Sequence, residues 1–173
     1  MHSKAKLITG ALTLAAAGAL VVGLDQAATA APVPAKAPVA CKASQVTVTV
    51  GDIDAGAGQR NAPLRFSVTG ATECTLTGFI SNARFIARDG SALTTNASPW
   101  DDTAAAVVLT AGHGASTDLH WTGVPADDED INRPAPAYLK FRIAGDSTDL
   151  TVRWPDSQVF QHGQLGFGAI HAA

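Results

Sequence analysis

The stretch "YLKFRIAGDSTDLTVRW" (138–154) holds two apolar alternations on either side of a turn signal. Leu139, Phe141 and Ile143 alternate with Tyr138, Lys140 and Arg142. Leu150, Val152 and Trp154 then alternate with Thr151 and Arg153. Successive side chains of an extended chain point to opposite faces, so each run predicts a strand with one buried and one wet face. The intervening "AGDST" supplies the small and polar residues that reverse a chain. A helix would need a period of 3.6, and these runs do not have it.

The same period recurs outward in both directions. Val46, Val48 and Val50 alternate with threonines, and Leu64, Phe66 and Val68 alternate with Arg65, Ser67 and Thr69. "ARFIA" and "AAVVL" predict strands buried more fully, and in the closing "QLGFGAI" Leu165, Phe167 and Ala169 would share a face. Turn signals separate the runs at "DIDAGAG", "RDGSA", "TAGHG" and "QHGQ". About eight or nine short strands without an amphipathic helix predict an all-β fold, an antiparallel two-sheet immunoglobulin-like β-sandwich. No repeat of 20–50 residues points to a solenoid or propeller.

The first thirty residues follow a different logic. Lys4 and Lys6 precede an apolar run from about Leu7 to Leu24, and Ala28 and Ala30 supply the small residues of a cleavage box. This pattern predicts a secretory signal peptide over 1–30, cut after Ala30. The run approaches the roughly 18–20 apolar residues of a membrane span, but Ala, Gly and Thr make up much of it. Without a twin arginine, the general secretory (Sec) pathway is expected, giving an extracellular protein with no transmembrane anchor after cleavage. Cys41 does not read as a lipid anchor, because Pro38 stands three residues before it and the apolar run ends far upstream. The Pro/Ala-rich "APVPAKAPVA" (31–40) reads as a disordered leader, and 41–173 as the sandwich domain.

Cleavage would take Lys4, Lys6 and Asp25 from the 12 basic and 15 acidic residues, leaving 10 and 14 in a chain of 143. Such an acidic balance argues against nucleic acid as partner, which needs clustered Lys and Arg. Cys41 and Cys74 are the only cysteines, and in an exported chain they predict one disulfide. It closes a loop of about 33 residues, worth about 3–4 kcal/mol in the chain-entropy model.

The segments "CKASQVTVTVGDIDAGAGQ", "ATECTLTGF", "VVLTAGHGASTDLHW" and "QLGFGAI" occur in an order that resembles a secreted actinobacterial family, the domain-of-unknown-function family 4232. Its members begin with a Cys before a valine-rich strand, continue through Cys-x-Leu-x-Gly-Tyr-Pro, and then show a leucine and Pro-Gly leading into a strand. The resemblance spans about 41–171. Phe79 and Ile80 stand where Tyr and Pro are usual, and Ala111 stands where Pro is usual. Two cysteines instead of four place the chain nearest a two-cysteine branch. The resemblance implies export and a β-sandwich, and brings no catalytic residues.

Chemistry is sparse in the pattern. "GASTDLHW" puts Ser116, Asp118 and His120 on one face of a strand, yet Ser116 and His120 would lie about 13 Å apart. A histidine-activated serine needs about 3 Å, so no triad forms there. Asp118 and His120, about 6–7 Å apart, are weak metal candidates set against a solvated strand face. His113 belongs to the "AGHG" turn, which with the strand after it reads as a hairpin. Asp52 and Asp54 lack the later ligands of a calcium loop, and the acidic run 127–130 reads as a solvated loop. No Gly-x-Ser-x-Gly or Ser-x-x-Lys motif is present. Asn96-Ala97-Ser98 matches a glycosylation acceptor, with Pro99 directly behind it.

Two long connections, 94–104 and 122–137, remain as places for a site. Trp100 beside Asp101 and Asp102 is the candidate ligand contact, since an exposed indole stacks on sugars or docks a partner; it could equally fold back over the core. The expected function is a non-catalytic binding or cell-envelope interaction module without cofactor. Its partner would be an envelope component or an extracellular protein. The alternative is a secreted hydrolase or metal-binding protein with a site on those two loops.

Overall fold

The computed structural model describes residues 39–101 and 103–173; the predicted signal peptide, most of the leader and Asp102 lie outside them. The period-two runs form β1 (Val46–Val50), β3 (Gln59–Val68), β5 (Ser81–Ile86), β7 (Ala106–Leu109), β8 (Ala115–Thr122), β9 (Tyr138–Arg142), β10 (Leu150–Arg153) and β11 (Gln164–Phe167). Shorter strands complete the set: β2 (Asp54–Gly56), β4 (Cys74–Thr77), β6 (Asn96–Pro99) and β12 (His171–Ala172). One sheet runs β1-β3-β8-β11-β6, with β2 beside β3 and β12 beside β8; a second runs β10-β9-β5; β4 and β7 pair as a ribbon.

The two larger sheets pack their apolar faces together. Leu64 and Phe66 on β3 and Leu119 and Trp121 on β8 are buried, as are Phe85, Leu139, Phe141 and Val152 on the three-stranded sheet. Phe66 meets Phe141 edge-on at 6.1 Å between ring centroids, and Trp154 lies 4.8 Å from both Phe85 and Trp121. The indole N–H groups of Trp121 and Trp154 donate to Ser157 Oγ and Ser157 O, which lets both rings sit in the core without an orphaned donor. Cys41 and Cys74 form the disulfide, with both residues fully buried, and tie the start of the domain to β4.

Several local expectations change. Only Val46 of the β1 valines is fully buried, because β1 is an edge strand and Val48 and Val50 sit half-covered beside β10. "AAVVL" is not wholly buried: β7 alternates, leaving Val108 42 % exposed. Ala169 does not continue the buried face of β11; that strand ends at Phe167 and Ile170 fills the core. Thr110 and His113 exchange both backbone hydrogen bonds around Ala111 and Gly112, with Gly112 at φ 89°. The turn is tight as expected, but it joins β7 and β8, which belong to different sheets.

The connection 94–104 also contains an element the period could not show. Asn96–Pro99 pairs with β11 in parallel, whereas the other named strand pairs are antiparallel. In 122–137, Asp128–Ile131 forms a single helical turn, α1, capped by the Asp127 carboxylate accepting Asp130 N–H at 2.9 Å.

Candidate functional site

Register brings Ser98, Gly166, His120 and Asn61 into one row across the outer face of the large sheet, from β6 through β11 and β8 to β3. The glycine is the decisive member. A Cβ on Gly166 would stand 2.8 Å from Trp100 Cε3, and one on Gly168 would stand 3.2 Å from Trp100 Cζ2. The indole therefore spans a floor left open by two absent side chains, with its other face outward, and Trp100 is 48 % exposed. Trp100 N–H donates to Phe167 O at 3.1 Å, and Asp101 accepts Ala169 N–H at 2.8 Å, which fixes the segment on either side of the ring. The His120 ring stands edge-on to the indole at 6.2 Å. Its Nδ1 lies 2.8 Å from Asn61 Oδ1, which can only accept, so Nδ1 carries the proton and Nε2 is left open.

Beside this platform lies a hollow of about 250 Å³ lined by Gln59, Ser98, His120, Gln161 and Gln164 around Trp100. The three glutamine side chains make no hydrogen bond among the described residues. Gln161 and His162 adopt φ values of 52° and 58°, a left-handed conformation that costs non-glycine residues about 1 kcal/mol or more each. Their backbone N–H groups are held by Asp130, which is wholly inaccessible to water. The same carboxylate accepts Ala126 N–H at 3.1 Å and Arg133 Nε at 3.2 Å. Burial by itself would raise its pKa; the donors from His162, Ala126, Gln161 and Arg133 outweigh that and hold it at about 2. A buried carboxylate thus keeps a strained turn in place where that turn edges the hollow.

The other residues singled out from the sequence fall apart spatially. Asp118 is exposed on the face shared with His120. Among the described residues no three His, Cys, Asp or Glu side chains converge as metal ligands. The acidic run is not simply a solvated loop, because Asp130 is buried and organises it. The sequence signal for this was Asp127-x-x-Asp130, a helix-capping spacing; the donors at 161 and 162 leave no local trace. Loops 94–104 and 122–137 touch where Arg133 Nη1 donates to Thr94 O at 3.5 Å. A serine–histidine contact does exist, with a partner the sequence did not suggest. Ser116 Oγ lies 3.0 Å from His171 Nε2, and His171 Nδ1 lies 3.2 Å from Ala169 O. The two are directly opposed on β8 and β12, Ser116 is 7 % exposed, and neither lines the hollow.

A second concavity, of about 260 Å³, lies between Arg88, Tyr138 and Arg153 on the smaller sheet. Its exposed aromatic, Tyr138, has no glycine seat, and no left-handed residue lines it, so the Trp100 hollow is the stronger candidate.

A family model, Domain of unknown function (DUF4232), matches residues 41–171, and the chain belongs to that family. No curated protein and no solved structure matches the chain.

Proposed function

We propose that this member of the DUF4232 family is an exported, non-catalytic binding module that uses the Trp100 hollow to hold a component of the cell envelope or an extracellular partner. One observation carries the reading: a half-exposed indole seated on two glycines, beside a turn kept in a strained conformation by a buried carboxylate. Strained backbone of this kind costs stability, and such strain clusters where a rigid arrangement is used. Export through the general secretory route is supported by the N-terminal pattern of charge, apolar run and small residues, and by the disulfide.

The test is cosedimentation of the purified domain with the insoluble envelope fraction of the producing cell. Wild type is expected in the pellet and Trp100→Ala in the supernatant. Equal partition of the two proteins overturns the assignment of the site.

The hydrolase reading has one specific observation in its favour, the Ser116–His171 contact. The ring is oriented as a base would be, with Nδ1–H on a carbonyl and Nε2 toward the hydroxyl. The near-complete burial of Ser116 leaves an acyl carbon no approach, and the contact serves to register β12 on β8. A fluorophosphonate probe is expected to leave Ser116 unmodified; stoichiometric labelling would restore the enzyme reading.

A further inference from the structure

We infer that the hollow at Trp100 seats one uncharged pyranose ring of an oligosaccharide, an inference that rests on the reading of that hollow as the binding site. A pyranose has two kinds of surface, a flat face of C–H groups and a rim of hydroxyls that both donate and accept. Each has its counterpart here. The outward face of the indole is electron-rich and flat, suited to the slightly positive C–H face of a sugar. Around it stand Gln59, Gln161 and Gln164, whose amides each offer two donors and an acceptor, together with the Ser98 hydroxyl.

Charge narrows the class. Among the described residues, no Lys, Arg, Asp or Glu lines the hollow. The carboxylate of Asp101, next to Trp100 in the chain, is turned to Ala169 N–H. An anionic or cationic ligand would be stripped of water there without a counter-charge, at a cost of several kcal/mol. A purely apolar ligand would strand the glutamine amides instead. A hollow of about 250 Å³ falls just under the roughly 300–1,000 Å³ of sites that bury drug-sized ligands, so it accommodates a single ring with the rest of the chain running out over the sheet.

Rigidity follows from parts already described. Gly166 and Gly168 fix the depth of the indole, Asn61 fixes the His120 ring, and Asp130 fixes the backbone that carries Gln161. A preorganised site loses less side-chain entropy when it binds. The glutamine side chains remain free to choose among hydroxyl arrangements, which gives breadth across neutral sugars.

The chain has three tryptophans, and two of them, Trp121 and Trp154, are buried against each other in the core. Trp100 is the exposed one and Trp121 also borders the hollow, so intrinsic fluorescence reports ligand contact there. The experiment titrates the purified domain with tetrasaccharides of glucose in β-1,4 and α-1,4 linkage, of N-acetylglucosamine and of mannose, with a neutral and an acidic peptide in parallel. The expected result is a saturable response to at least one neutral tetrasaccharide that added salt leaves unchanged. Because Trp100→Ala lacks the exposed reporter, the variants are read by isothermal titration calorimetry: Trp100→Ala should abolish binding, and Gln161→Ala should weaken it at least severalfold with an unaltered melting temperature. No response to any of the sugars overturns the pyranose assignment. Peptide binding that Trp100→Ala removes in calorimetry overturns the pyranose while leaving the site intact. Sugar binding that persists in Trp100→Ala overturns both.

Discussion

Asp130 has no contact with water, yet it is ionised, because four donors from three stretches of chain surround its carboxylate. Asp130→Ala would leave the N–H groups of Ala126, Gln161 and His162 and the Arg133 guanidinium without their acceptor. Breaking a buried charged network by removing one partner costs about 3–5 kcal/mol, which chemical denaturation would read directly. The sign of the pH effect follows from its pKa of about 2 against the ordinary 3.8. Between these values the unfolded chain binds more protons than the folded one, so stability is complete above about pH 4 and falls as pH drops toward 2. Asp146, lowered to about 2 by the N–H groups of Ala43 and Thr148, acts in the same direction. Asp130→Asn should flatten that acid limb in melts taken from pH 5 downward; an unchanged slope would remove Asp130 from this role. Only the Asp127-x-x-Asp130 capping spacing was legible locally; the burial of Asp130 was not, because the N–H donors at 161 and 162 come from about thirty positions later.

β11 shows how one strand divides its labour between core and site. Leu165 and Phe167 point into the sandwich, while Gly166 points outward beneath Trp100. Two glycine substitutions separate these roles. In Gly166→Ala the new Cβ clashes with the indole, a half-exposed side chain that can swing aside, and reaches His120 O only at an ordinary 3.7 Å, so stability should change by less than about 1 kcal/mol while binding in the hollow is lost. In Gly163→Ala the Cβ would stand 2.1 Å from Thr94 O, a backbone atom, at φ 78°. That clash has no cheap relief and should destabilise by about 2–4 kcal/mol, seen as a fall in denaturation midpoint. Alternation made β1, β3, β8, β9, β10 and β11 readable, because half-buried strands print their burial in a period of two. β6 was hidden because Asn-Ala-Ser-Pro at a parallel edge buries little and carries no period. The indole at its end was legible as exposed chemistry; its glycine seat was not, since contact between 100 and 166 is set only by register.

On the scale of the whole molecule, two sheets and one covalent tie hold the domain. The Cys41–Cys74 disulfide closes 33 residues containing β1 to β3, and the paired Cys41→Ala/Cys74→Ala variant should lose about 3–4 kcal/mol while keeping its β-sheet circular dichroism. The long connections meet at one end, through Arg133 and Thr94, and Asp130 transmits that packing to the turn at Gln161. The sandwich thus acts as a rigid support for the Trp100 hollow on its outer face. That role is tested most directly by mapping backbone amide shifts in the isotopically labelled domain as the tetrasaccharide giving the strongest fluorescence response is added. Shifts are expected to be confined to 59–61, 98–101, 120–122 and 161–168. Shifts centred on Arg88 and Arg153, or none at all at saturating ligand, would contradict it.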